Sequence, residues 1–278
     1  MPVSSDPQGH LELTGLRKSF KSLGKDINRV IDGFTATIQA GTTVAVVGSN
    51  GAGKSTLLNM VAGTVLPDAG TVRVNGSEIT FLPSWKRIPQ VRRVRQNPQD
   101  NMVSTLTVEE NFALALSGTR QRFGFRPARS REVRALCEER IAQLGMGLED
   151  RVTARSDSLS GGQRQAIALA IASIGEPAVI LLDEHTAALD PNSAERIKDV
   201  TGRIVKNSGA AALMVTHDMS HALGHADRLL MLHAGRIVLD LDRVAMNELT
   251  VEEIQTQFAQ HAGEALPDQT ILNTGGRR

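Results

Sequence analysis

Residues 48 to 56 read GSNGAGKST, directly after the apolar run Val44, Ala45, Val46, Val47. That order dictates a buried strand, a tight glycine loop and a helix start, and it leaves little freedom for any other fold. The spacing runs Gly48, four residues, then Gly53, Lys54 and Ser55. Ser49, Asn50, Gly51 and Ala52 are small enough for consecutive backbone N–H groups to wrap a phosphate chain, and Thr56 carries the loop into the helix. Lys54 is placed for the β- and γ-phosphates and the Ser55 hydroxyl for Mg²⁺, with the positive end of the helix dipole behind them. This points to a nucleoside triphosphate site. A plain glycine turn between strand and helix is the other way to use the same residues.

The chain has 278 residues, 41% of them hydrophobic, enough to bury a large core in one main domain with a subdomain or two short extensions. Thirty-one Lys and Arg against 30 Asp and Glu leave a formal charge of +1, so no global field exists for gripping nucleic acid or an anionic membrane. Any polyanion site must be local. One cysteine, Cys137, excludes an intrachain disulfide and fits a reducing compartment. No run approaches eighteen apolar residues, and MPVSSDPQGH has neither the basic nor the apolar segment of a leader, so neither a membrane span nor export is expected. Seven Phe, Trp85 and no Tyr argue against a groove lined with base-stacking rings.

Alternation from Leu11 to Val47 predicts strands separated by turns at Asp32-Gly33 and Ala40-Gly41. Ser55 to Ala62 has Leu57, Leu58 and Val61 at helical spacing, with Gly63 placed to close the helix. PDAGTVRVNG reads as turn, strand, turn. From about 98 to 165 the texture is mostly helical: Thr107 can cap TVEENFALAL with Glu110 three residues on, and Ser130 opens a second helix carrying Val133, Leu136, Ile141 and Leu144. Strands at AVILLD and AALMVTH, alternating with helices, imply a largely parallel sheet. The tail, 261–278, loses periodicity and is expected to be a flexible extension of a domain covering 10–260.

Val179 to Asp183 is apolar on both faces, as a central strand requires, and ends in two carboxylates. Ligands in open α/β sheets bind beyond such strand ends, so Asp183 is placed to orient Mg²⁺ and its waters and Glu184 to polarise an attacking water; two capping acids on an ordinary turn is the alternative. LSGGQRQ opens a helix with Ser160, Gly161, Gly162 and Gln163, presenting a hydroxyl, exposed backbone N–H groups and a positive dipole end to an anion. Two phosphate surfaces on one chain suggest two chains paired head to tail, each surface facing a different nucleotide. His217 closes an apolar strand at the same end as the carboxylates.

Together GSNGAGKST, LSGGQRQ, VILLDE, Leu189-Asp190 and VTHD at 215–218 resemble the nucleotide-binding subunit of ATP-binding-cassette (ABC) transporters, over roughly residues 10 to 258. The resemblance implies an α/β fold: a P-loop (RecA-like) core with a mostly parallel sheet, an N-terminal antiparallel β subdomain and a helical subdomain. It implies ATP and Mg²⁺ as ligands. It makes Glu184, His217 and Gln96 catalytic, with Gln96 as the glutamine that touches the metal or water beside Ser55 and Asp183 and joins the core to the helical insertion. Asp190 matches the loop that crosses the dimer interface, and His217 the histidine that contacts the γ-phosphate. Phe20 falls where an aromatic stacks on adenine; a core Phe on an edge strand is the other reading. His185 and Ala187 depart from the Pro and Ser common in relatives, and neither removes a catalytic atom.

DEHTAALDP, GMGLEDR and RLLMLHAGRIVLDL look closest to a bacterial importer subgroup. The implied partners are an integral-membrane permease, a second and identical cassette, and indirectly an extracytoplasmic solute-binding protein, with aromatic amino acids as suggested cargo and no nucleic acid. The place is the cytoplasmic face of the inner membrane. A soluble ABC ATPase acting on ribosome or DNA is the rival, but such proteins carry tandem cassettes or a long coiled coil, and this sequence shows neither. Arg120, Arg122, Arg126, Arg129 and Arg131 form the one basic cluster, suited to lipid headgroups, an acidic permease loop or plain solvation.

Overall fold

Two β layers and a helical layer are stacked around the strand that feeds the glycine loop. The computed structural model describes residues 10–21, 27–118 and 130–262. The chain begins with β1 (Leu11–Lys21), β2 (Ile27–Ile38), β3 (Thr43–Gly48) and helix α1 (Lys54–Ala62). Next come β4 (Ala69–Val74), β5 (Ser77–Glu78), the single turn α2 (Ser84–Arg87) and β6 (Val91–Val94). Helices α3 (Val108–Ser117), α4 (Arg131–Ala142) and α5 (Gly161–Ala172) follow. The remainder is β7 (Val179–Asp183), α6 (Pro191–Ser208), β8 (Ala211–Val215), α7 (Met219–His225), β9 (Arg228–His233), β10 (Arg236–Asp242), α8 (Arg243–Glu248) and α9 (Val251–Ala262).

One sheet is antiparallel in the order β2-β1-β4-β5; the other runs β10-β9-β3-β8-β7-β6, parallel throughout except for β10 at its edge. Every residue of β3 is buried. Its alternate side chains divide between two cores: Val44 and Val46 join α1 and the antiparallel sheet, while Ala45 and Val47 join the core that α3 to α6 cover. That division follows from the period of two along a strand. Among the described residues no helix is long and apolar enough to cross a membrane.

Local signals account for the helices. Thr107 caps α3 with a full capping box through Glu110, and Phe112 locks the helix to the core, where truncation to Ala costs about 3–5 kcal/mol. Ser130 accepts from the Val133 N–H to open α4, and Gly63 closes α1 through its N–H to the Asn59 and Met60 carbonyls. Cys137 on α4 is fully buried, and burial together with Glu109 and Glu138 pushes its thiol up to about 12. Arg131 is the first residue of α4; Arg120, Arg122, Arg126 and Arg129 lie outside the described residues, as does the tail from 263 onward.

The turn expected at Asp32-Gly33 is not there. Both residues lie inside β2, where Leu16 pairs with Phe34 and Arg17 with Asp32, so that Gly33 is the extra residue of a bulge rather than a chain reversal. Asp32 explains why: its N–H donates to the Gly235 carbonyl at 2.9 Å and its carboxylate accepts from Arg236 and Arg29. The hydrogen bond to Arg236 leads the causes that hold the Asp32 carboxyl below its ordinary value. A long-range partner therefore carries the strand on through a local turn signal.

Arg87, 1% exposed, donates to four carbonyls: Leu82, Thr80, Met60 and Val61. It thus caps the C-terminus of α1 from a distant turn. Arg87→Leu is expected to destabilise the chain by about 3 kcal/mol, since each buried polar group left unpaired costs about 1–3 kcal/mol before relaxation. Urea unfolding should show a lower midpoint at unchanged slope.

Candidate functional site

The register of the parallel sheet sets three turns level with one another. Val46 lies opposite Val215, and Val215 opposite Asp183. Across the strand ends the Glu184 N–H donates to the Val215 carbonyl at 2.9 Å and the Thr216 N–H to the Val46 carbonyl at 3.3 Å. The glycine loop, the Asp183-Glu184 pair and His217 therefore leave the sheet at one level, on the side where ligands of such sheets bind.

The glycine loop turns into α1 at Gly53, whose φ of 105° no residue with a side chain adopts readily. A Cβ there would also lie 2.5 Å from the Val30 carbonyl oxygen. Asn50, Gly51 and Ser55 are exposed at the mouth, Gly48, Ala52, Gly53 and Lys54 are buried, and Ser49 and Thr56 are half-buried. Lys54 folds inward, its Nζ donating to the Gly48 carbonyl at 2.6 Å and the Ser49 carbonyl at 2.9 Å. Desolvation pushes its pKa down and Glu184 partly restores it. A buried ammonium behind an exposed loop whose first-turn N–H groups have no intrahelical acceptor fits a phosphate chain in both charge and bulk.

Glu184 and His217 are together, with Nδ1 of the imidazole 3.3 Å from the carboxylate. Glu184 holds a φ of 43°, a conformation that costs a non-glycine residue about 1 kcal/mol or more. The hydrogen bond to His217, more than any other cause, lowers the Glu184 pKa, and the same bond raises that of His217. A cavity of about 410 Å³ opens beside both, toward Leu189, Lys198 and Asp218. His185 is buried behind Glu184, and desolvation brings its pKa down to about 3, which keeps it neutral.

Asp183 pairs with Arg93 on β6, and Arg93 also donates to Asn59 Oδ1 on α1 at 2.7 Å. Gln96 is exposed just past β6. Its turn is braced from α5: Gln165 Nε2 donates to the Arg95 carbonyl at 3.2 Å, and Asn101 Nδ2 donates to Gln165 Oε1 at 3.2 Å. Phe20 is 42% exposed near the end of β1, with Lys18 Nζ 5.5 Å from the ring centroid, so it is not a core residue. The ladder places it opposite Asn28, two residues before the Val30 carbonyl that abuts Gly53.

Ser160, Gly161, Gly162 and Gln163 form a separate surface. Ser160 and Gln163 make a reciprocal capping box at 3.3 and 3.0 Å. A Cβ on Gly162 would lie 2.8 Å from Ser193 Oγ, so the α5 turn sits tight on α6, which Asp190 caps by accepting from the Ser193 N–H at 3.0 Å. No hydrogen bond or ion pair among the described residues joins this surface to Lys54, Glu184 or His217. Sequence reasoning missed Arg93, Asn59 and Gln165; only Gln165 had a local signal, as the last residue of LSGGQRQ.

A family model described as ABC transporter matches residues 31–187. The chain is 37% identical over 248 residues to the tyrosine transport ATP-binding protein of Clostridioides difficile, covering 89% of this chain and 98% of that one. It is 34% identical over 277 residues to an aliphatic sulfonates import ATP-binding protein of Nocardia farcinica, covering 98% and 99%. Among solved structures, a dimeric ATP-binding cassette in a post-hydrolysis state bound to ADP and Pi is similar at a TM-score of 0.71 and 26% identity, covering 84% of this chain and 98% of that one.

The carboxylate–imidazole pair has a pH signature. His217 is raised above 6.5 and Glu184 lowered below 4.5, so both are charged between those shifted values. Their attraction is fully present in that window, fades as pH rises through the raised His217 pKa, and fades as pH falls through the lowered Glu184 pKa. Imidazole NMR titration is expected to show His217 above its ordinary value and returning toward it in Glu184→Gln. A His217 titration that ignores the substitution would mean that the pair does not form in solution.

Proposed function

We propose, on the premise that this chain belongs to the ABC transporter family, that it is the ATP-hydrolysing subunit of a solute importer with amino-acid-like cargo. The observation that carries the hydrolytic reading is the Glu184–His217 pair, level in the sheet with the loop of Lys54. The cargo reading rests on the tyrosine transport relative and on the importer-like motifs. Residues 10–260 form the ATPase domain in this reading, with the helical insertion at about 98–165.

The chemistry follows from the residues. Backbone N–H groups of 48–56 and the Lys54 ammonium hold the phosphates of ATP. Ser55, Asp183 and Gln96 would hold Mg²⁺, which would supply positive charge to neutralise the phosphates. Glu184 accepts a proton from the attacking water and aligns it with the γ-phosphorus; His217, oriented by Glu184, donates to the γ-phosphate as charge moves onto it. Phe20 offers a ring to the adenine. Ser160, Gly161, Gly162 and Gln163, together with Asp190, face the nucleotide of a second, identical cassette, so ATP becomes part of the dimer interface and its cleavage loosens that interface.

A groove of about 700 Å³ runs beside the Gln96 turn, lined by Ile88, Arg92, Met102, Val103 and Leu114. Leu114 and Val103 are exposed there, as an apolar seat for the permease requires. A permease seated in that groove holds the subunit at the cytoplasmic face of the inner membrane, where a binding protein delivers cargo from the other side.

Purified Glu184→Gln is expected to double its mass on adding Mg-ATP, read by light scattering, while hydrolysis falls about a hundredfold or more. Lys54→Ala should abolish the mass change by losing the nucleotide. Near-normal turnover in Glu184→Gln would remove Glu184 from the role of base, and an unchanged mass would remove the identical partner.

A further inference from the structure

Each half of the hydrolytic pair is followed by a residue tied to the same helix. Directly after Glu184, His185 is 1% exposed and its Nε2 lies 3.0 Å from Thr201 Oγ1 on α6. The Thr201 hydroxyl spends its one proton on the Ile197 carbonyl at 2.7 Å, so it meets His185 as acceptor and the imidazole N–H is the donor. Directly after His217, Asp218 has one carboxylate oxygen 3.4 Å from Lys198 Nζ, also on α6. Its other oxygen accepts from the His221 N–H at 2.9 Å and so starts α7. The His221 ring then closes the frame from the far side, 5.7 Å from the ring of His185.

Lys198 and Thr201 are three residues apart, hence on one face of α6 and about 4.5 Å apart along its axis by helix rise. Both are buried, and Lys198 is further fixed by Glu195 at 2.8 Å. A helix does not stretch, so two anchors on one turn hold the loops that they grip at a set separation. Glu184 needs such a hold because its φ of 43° is a conformation that a free loop would abandon.

We infer that Thr201 and Lys198 are positioning residues which, by gripping His185 and Asp218, fix the spacing between Glu184 and His217 for hydrolysis. The inference rests on the hydrolytic reading above. It assigns no contact with substrate to either residue. Misplacing a catalytic group by about 1 Å costs on the order of a hundredfold in rate, so loosening one of two anchors should lower turnover by about tenfold while leaving the phosphate loop untouched.

The test uses the full-length chain and steady-state ATP hydrolysis, with thermal melting run alongside. Thr201→Val keeps the shape and loses the acceptor; it should lower kcat about tenfold with KM for ATP within twofold of the parent. Thr201→Ser restores the hydroxyl and should restore kcat to within twofold. His185→Phe should behave as Thr201→Val although its ring still fills the space, and Lys198→Met reads the second anchor independently if the first variants do not fold. A kcat within twofold of the parent in both Thr201→Val and Lys198→Met overturns the inference, whatever the melting temperature does. Equal loss in Thr201→Val and Thr201→Ser, or a fall in kcat matched by a rise in KM, overturns it too, because packing alone would then explain the effect. Glu184→Gln in the same assay separates the two claims: if it turns over normally the hydrolytic reading has failed, whereas an inactive Glu184→Gln beside an unaffected Thr201→Val fails only the positioning inference.

Discussion

The parallel register of β3, β8 and β7 is the constraint on which the rest of the molecule depends. Three strands buried on both faces cannot slide, because a shift of one residue would turn every side chain to the wrong core. Val46, Val215 and Asp183 are consequently level, and whatever follows them emerges together. The glycine loop, the acidic pair and the histidine inherit their common level from the aliphatic packing beneath. That packing is carried by aliphatic residues such as Val44 and Val46, buried in the core beneath the site.

Charge is arranged with the same economy. The chain is nearly neutral, yet its site concentrates Lys54, Arg93 and His217 against Asp183 and Glu184. Each group is partly withdrawn from water, where an unpaired charge is expensive and a paired one is held in a fixed direction. Lys54 lies on backbone carbonyls, Asp183 on a guanidinium and Glu184 on an imidazole. Each of these side chains is therefore held in a fixed direction by a partner of the same chain.

Much of this was legible in the sequence, for reasons that can be named. β3, α1, β7 and the capping box at Thr107 are local: the residues that form them lie within a few positions of one another, and periodicity or cap chemistry displays them. Asp32-Gly33 misled because Arg236, over two hundred positions later, overrides its turn propensity. Arg93, Lys198 and Thr201 were invisible as parts of the site since each works through a partner that only the fold brings near. His185 stood out as a departure from relatives, but nothing local said that it would be buried against α6 rather than facing the nucleotide.

The single thiol gives the chain an experimental advantage. Cys137 is enclosed by the helical layer and its sulfur resists ionisation at any ordinary pH. Thiolate is the reactive species, so the folded protein is silent to alkylating reagents except when α4 lifts away. A cysteine introduced anywhere on the surface would carry a label alone, with the native residue left in place. The same silence makes slow modification of Cys137 a clock for the opening of that layer, recorded without any substitution at all.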